Sequence, residues 1–177
     1  MNARAKLALV VGAVAAVGVV GAVALAQGGG DFKGRLTGYQ EVPALSTSGH
    51  GTFRASVRDG GSEIRYRLTY AGLEADPQQA HIHLGQPGVN AGVIVFLCSN
   101  LGNGPAGTQA CPDSPATVTG TLHAADVVGP TSQGIDPGEF GELVRAIRAG
   151  ATYANVHTDK YEGGEIRAQL KRRGRAR

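Results

Sequence analysis

GTFRASVRDGGSEIRYRLTY, running from Gly51 to Tyr70, is the stretch from which the fold can be read. Phe53, Ala55 and Val57 alternate with Arg54, Ser56 and Arg58. Ile64, Tyr66, Leu68 and Tyr70 alternate with Arg65, Arg67 and Thr69. A period of two places each set on one face of a strand. Asp59-Gly60-Gly61 between the runs is turn chemistry. Two alternating runs around a Gly-rich turn predict an antiparallel hairpin, with one face toward a core and the other toward water.

The same rhythm extends outward. Asp31–Thr37 is a short strand ending at Gly38, and Ala80–Leu84 is another after a connection, Ala71–Gln79, that contains Pro77. Gly85–Gly92 is a turn with Pro87, Gly88 and Asn90. Val93–Cys98 is almost wholly apolar, as in a strand covered on both faces. Thr117–His123, Tyr153–Thr158 and Glu165–Leu170 complete the strands, the last two joined through Gly163-Gly164. Glu139–Ala149 breaks the pattern. Phe140, Leu143, Val144 and Ile147 recur at helical spacing, acids come early, Arg145 and Arg148 come late, and Gly150 stops the run. Glycine is abundant, 28 of 177 residues, and tryptophan is absent. The expected architecture is mainly β: a single antiparallel β-sandwich or Greek-key-like barrel with one short helix.

Residues 1–26 read as a secretory signal peptide. Arg4 and Lys6 precede an unbroken run of apolar and small residues from Leu7 to Ala26, and Ala24-Leu25-Ala26 is a small-x-small cleavage pattern. The run is long for a signal peptide, so an uncleaved membrane anchor is the alternative. Residues 27–31 form a linker, 32–170 the folded domain and 171–177 a basic tail of Lys171, Arg172, Arg173, Arg175 and Arg177. The formal net charge of +3 comes from the two ends. Without them the body has fewer basic residues than its 14 acidic ones. Such a tail reads as a solvated end, with contact to anionic polymer, lipid headgroup or nucleic acid as its functional alternative. Export places the two cysteines, Cys98 and Cys111, in an oxidising compartment, where a disulfide closing Ser99–Ala110 is expected to stabilise by roughly 2–4 kcal/mol. The expected location is secreted or cell-envelope/periplasmic.

Three of the five histidines sit in strands. His81 and His83 share a face with Ile82 opposite, and Asn155 and His157 share a face of a second strand. If those strands adjoin, three imidazoles converge and suit one zinc or copper ion, with His123, Glu165 or His50 as a fourth ligand or an orienting group. His50, between two glycines, suits a turn better. The competing reading is structural, with the histidines donating to backbone carbonyls, Glu165 or Thr158. Glu165 and Arg167 read either as a surface ion pair or as a histidine orienter and a ligand-carboxylate clamp. Glu41, before Val42-Pro43, reads as a strand-edge carboxylate. No phosphate-binding glycine loop, nucleophile elbow or aromatic-basic nucleic-acid platform is present, and no catalytic residue is assigned.

The chain resembles the CHRD domain, the module named after chordin. The resemblance rests on Leu36-Thr37-Gly38 with Gln40-Glu41-Val42-Pro43, on Ala80-His81-Ile82-His83-Leu84-Gly85 with Pro87-Gly88-Val89-Asn90, on Ile147-Arg148-Ala149-Gly150 leading to Asn155-Val156-His157-Thr158, and on Gly164-Glu165-Ile166-Arg167-Ala168-Gln169-Leu170. It implies a secreted β-sandwich module. The cysteine loop and the basic tail depart from the usual pattern. In chordin such domains sit beside growth-factor-binding modules, which this chain lacks, so that role does not carry over. The expectation is a non-catalytic extracellular binding or structural module with a His81/His83/His157 metal site. Its partner would be an extracellular or cell-envelope protein or polymer, with no specific nucleic acid and membrane contact only through an uncleaved N-terminus. The alternatives are a redox metalloenzyme, by analogy with copper/zinc superoxide dismutases, and a metal-independent protein- or glycan-binding module using an exposed loop.

Overall fold

The computed structural model describes residues 30–174. The signal-peptide and anchor readings lie outside them. Among the described residues no helix is long and apolar enough to cross a membrane.

Nine strands form one antiparallel sheet: β1 (Gly30–Thr37), β2 (His50–Arg58), β3 (Glu63–Ala71), β4 (Pro77–Leu84), β5 (Val93–Ser99), β6 (Ala116–Leu122), β7 (Thr152–Thr158), β8 (Ile166–Gln169) and β9 (Lys171–Arg172). The order is β5-β4-β7-β8-β1-β2-β3-β6, with β9 pairing β1. The end strands curl toward each other into a nearly closed barrel. Val95 of β5 bridges Val127 beyond β6, and the Tyr66 hydroxyl on β3 donates to the Leu97 carbonyl on β5 at 2.8 Å. Closure hides sheet edges that would otherwise offer unpaired backbone groups.

The hairpin read from Gly51–Tyr70 is present and in register. Phe53 lies opposite Leu68 and Ala55 opposite Tyr66, all buried, while the arginines between them face water. Helix α1 (Phe140–Arg148) sinks Phe140, Leu143, Val144 and Ile147 into the same core as Ile82, Val156 and Ile166. Several boundaries differ from the sequence reading: β1 begins at Gly30, inside the stretch read as a linker, and β6 ends at Leu122, which leaves His123 outside the strand. β4 begins at Pro77, inside the stretch read as a connection, because the first residue of a strand tolerates a missing N–H. The tail begins as structure, since Lys171 and Arg172 pair with Lys33 and Phe32.

Cys98 and Cys111 are bonded, with Cα atoms 5.0 Å apart. Inside the loop, Asn100 accepts from the Cys111 N–H at 2.9 Å and donates to the Cys111 carbonyl at 2.9 Å. Replacing both cysteines by alanine is expected to lower stability by about 3 kcal/mol, the loop-closure entropy of a segment this long. Chemical denaturation of the double variant measures it.

Candidate metal centre

β4 and β7 are neighbours, and their register builds the site. His81 lies opposite Asn155, His83 opposite Tyr153 and Gln79 opposite His157. His157 is therefore the diagonal neighbour of His81 on one face, within reach of an aromatic side chain. The opposite face of the same strands carries Ala80, Ile82, Ala154 and Val156 into the barrel core. The histidine face is a second, polar interior lying outside the barrel wall.

His81, His83 and His157 are only 2%, 6% and 7% exposed. One potential ligand atom from each lies within 4.8 Å of the other two. His81 Nδ1 and His157 Nε2 are 3.2 Å apart. Two nitrogens bound to one tetrahedral ion at about 2.1 Å would be about 3.4 Å apart, so this pair already has ligand spacing.

The tautomers follow from the partners. His83 Nδ1–H donates to the Ala91 carbonyl at 2.8 Å, and His157 Nδ1–H donates to the Glu162 carbonyl at 2.7 Å. A carbonyl only accepts, so Nε2 of both rings carries a lone pair. His81 must then donate its Nδ1–H to His157 Nε2. That leaves His81 Nε2 buried without a partner, as is His83 Nε2. A metal would displace the His81 Nδ1 proton. Backbone carbonyls that fix the far nitrogen are the usual orienting partners of metal-bound histidine.

Burial holds all three imidazoles neutral. It lowers His83 to about 4, and it lowers His81 further, with the neighbouring His157 and His83 adding to the effect. His157 is lowered by burial and partly restored by its bond to Glu162. Neutral imidazole is the ligand form.

A scaffold of buried side chains positions the trio. His83 stacks on Tyr153, with ring centres 4.6 Å apart and planes 1° from parallel. The Tyr153 hydroxyl accepts from the Ala91 N–H at 3.1 Å, and the Arg167 guanidinium lies 3.4 Å from the centre of the Tyr153 ring. Arg167 is 1% exposed and donates to the Val89 carbonyl at 2.8 Å, to the Gln86 carbonyl at 3.3 Å and to Asn90 Oδ1 at 3.1 Å. It thereby clamps the loop whose Ala91 carbonyl orients His83. Glu41, also buried, has its carboxyl pushed up to about 7 by burial, against the pull of Arg167. Gly164, at φ 121°, brings backbone close to both Glu41 and Asn155. A Cβ there would sit 2.5 Å from Glu41 Oε1 and 2.9 Å from Asn155 Nδ2.

Several expectations need correction. Glu165 is fully buried but its oxygens are spent on Thr47, Glu74 and Thr158, so it is not a ligand here. Arg167 and Glu165 do not form the surface pair that their spacing suggested, because both are buried and bonded elsewhere. His123 is exposed at the start of a short 3-10 turn, outside the cluster. His50 is exposed too, its Nδ1 3.0 Å from the Ser48 carbonyl. Glu41 lies in the turn after β1 rather than at a strand edge, buried near Arg167.

What fold and site define is a disulfide-bearing β-barrel module with a buried triple-histidine cluster on its outer wall. The chain belongs to the CHRD domain family, whose model matches residues 32–170. Neither a curated protein nor a solved structure matches the chain significantly. The four stretches on which the resemblance rests, far apart along the chain, meet around this cluster: the Glu41 turn, the His81–Asn90 strand and loop, the Asn155–His157 strand and the Gly164–Gln169 strand.

Proposed function

We propose that this CHRD domain is an extracellular binding module that holds one zinc or copper ion through His81, His83 and His157. The observation that supports it most is the convergence of three buried, neutral imidazoles, two with the far nitrogen tied to a backbone carbonyl. Three nitrogen ligands with a remaining open position suit zinc or copper. The disulfide fits an oxidising compartment, where both metals are met. The partner is an extracellular or cell-envelope protein or polymer.

The test is metal analysis of protein purified without a histidine tag and reconstituted with zinc or with copper. One equivalent per chain is expected. His83→Ala and His157→Ala are each expected to weaken binding by more than about 100-fold, since even orienting groups change metal affinity 10–100-fold. No bound metal after reconstitution would sink the proposal.

One observation favours a second reading, a redox metalloenzyme. His157 borders a surface depression lined by Gln78, Gln79, Leu101, Asp159 and Glu162, through which a small molecule could reach a fourth coordination position. Superoxide dismutation by the copper-loaded protein would establish it, and a copper-loaded but inert protein would leave the binding role alone.

A further inference from the structure

The barrel has a second unusual surface, away from the histidines. Outward positions of β1, β2 and β3 alternate with the core residues, and each of the three strands carries two cations among them. Register places Lys171 of β9 opposite Lys33, Lys33 opposite Arg54, and Arg54 opposite Arg67. This makes a straight row of cations across four adjacent strands, about 14 Å long at a strand spacing of about 4.8 Å. Arg35 lies two residues from Lys33 on β1, on the same face. Lys33, Arg35, Arg54 and Lys171 are exposed, and none forms an ion pair among the described residues. Arg67 has only a 3.3 Å bond to Thr117 Oγ1. The nearby Asp31 accepts from Ser56 at 2.6 Å.

Like charges directly opposite each other destabilise a sheet. The next strand shows the inexpensive solution, since Thr119 faces Arg67 across β6. A chain with 14 acidic residues places none in this row. The one acid beside the row, Asp31, lies at its flank and bonds Ser56, so the directly opposed cations remain a local cost of the kind that marks a functional surface.

We propose that this face binds a linear anionic polysaccharide, independently of the metal site. Lys33 and Arg54 form a ridge between two shallow depressions and line both of them. Ser56 lies in one depression with Arg173 and with Asp31, whose carboxylate is held by Ser56, and Gln40, Thr52 and Gln169 lie in the other, beside the cations. Alternating charge and hydroxyl or amide groups match a polymer that repeats sulfate or carboxylate groups between sugar hydroxyls. A bilayer would ask for apolar side chains to insert. The exposed large apolar residues, Tyr39, Val89 and Leu101, are on none of these strands. Single-stranded nucleic acid would ask for stacking aromatics, and the outward positions here hold none. Arg175 and Arg177 continue the charge along the sequence.

Heparin, a soluble linear sulfated polysaccharide, is the probe, with the whole protein and its tail retained. Binding is titrated across about 0.05–0.3 M NaCl, the range in which counterion release dominates. Arg54→Glu sets an acid between Lys33 and Arg67 and turns two repulsive pairs attractive, so this variant is expected to melt no lower than the native protein. Its heparin affinity is expected to fall about tenfold or more at 0.1 M salt, with a log–log salt slope shallower by about 1–2. Arg145→Glu makes the same charge change on α1, outside the row and at a cation already paired with Glu142, and is expected to leave binding within about twofold, since the row and not the net charge is what binds. Equal losses in the two variants, or no retention on heparin at 0.15 M salt, would overturn the proposal. So would tighter binding to phosphatidylglycerol vesicles or to single-stranded DNA than to heparin, which would assign the face to a membrane or to nucleic acid.

Discussion

Glu165→Ala is expected to lower the free energy of unfolding by about 4 kcal/mol while leaving metal stoichiometry unchanged. The Glu165 carboxyl is fully buried at the end of the β7–β8 turn. Its Oε1 accepts from Thr47 Oγ1 at 2.6 Å and from the Glu74 N–H at 3.0 Å, and its Oε2 accepts from Thr158 Oγ1 at 2.9 Å. One side chain thus ties three segments together: the loop before β2, the β3–β4 connection and β7. Gly49 lets the first segment close in, since a Cβ there would lie 2.7 Å from Glu165 Oε1. Truncation strands these donors and leaves a small cavity. A stranded buried donor costs about 1–3 kcal/mol, which sets the size of the effect. Glu165→Gln keeps the shape and one carbonyl oxygen, and is expected to cost about half as much. A guanidinium titration with unchanged slope measures both. Metal lost from a Glu165→Ala protein that is still folded would restore Glu165 as a ligand.

The Glu165 result bears on what a sequence can reveal. The strands were legible because alternation is local: a period of two needs only five or six residues to show itself, as in Phe53–Val57 or Ile64–Tyr70. The common face of His81 and His83 was legible for the same reason. That His157 joins them is a different kind of fact. It depends on β4 pairing with β7 across 76 residues and on the register that sets Gln79 against His157. No local pattern encodes register. The family motifs hinted at convergence by occurring together, but not at which atoms meet. Glu165, Arg167 and Glu41 were misread because charge in a strand normally means a solvent face. Here the loops after β1 and β4 cover that face. Whether a loop folds back over a strand is invisible to periodicity. The lysine and arginine row was not legible at all. Each cation looked ordinary within its own strand, and only the cross-strand register makes it a row.

Metal-free protein is expected to lose stability between pH 7 and pH 5, by about 1.5 kcal/mol from His81, His83 and Glu41 together and by more through His157. In the unfolded chain His81, His83 and His157 take up protons near pH 6.5, their ordinary value. In the native state burial lowers all three, His83 to about 4, His81 further, and His157 in the same direction. The unfolded state therefore binds more protons in this window, and stability rises with pH. The histidine contribution is complete above pH 6.5 and drains away as the pH falls toward 4. Glu41 works in the opposite sense. Its buried carboxyl keeps a proton up to about pH 7, whereas the unfolded chain releases it near 4.5, so Glu41 favours the native state at low pH. His81 and His83 against Glu41 leave a net uptake of about one proton on unfolding near pH 5, a slope of about 1.4 kcal/mol per pH unit, and His157 adds to it in the same sense. The slope flattens near neutrality, where the histidines are already deprotonated in both states. Glu41→Gln removes the opposing group and is expected to deepen the loss by about 2 kcal/mol. Zinc competes for the lone pairs that protons seek in the unfolded chain, and saturating zinc is expected to raise stability at both pH values. Urea titrations of chelator-treated protein at pH 7, 6 and 5 measure the slope. A flat profile, or ring resonances of His81, His83 and His157 titrating near 6.5 in the native protein, would mean that these three imidazoles are open to water and that the polar interior described here does not form.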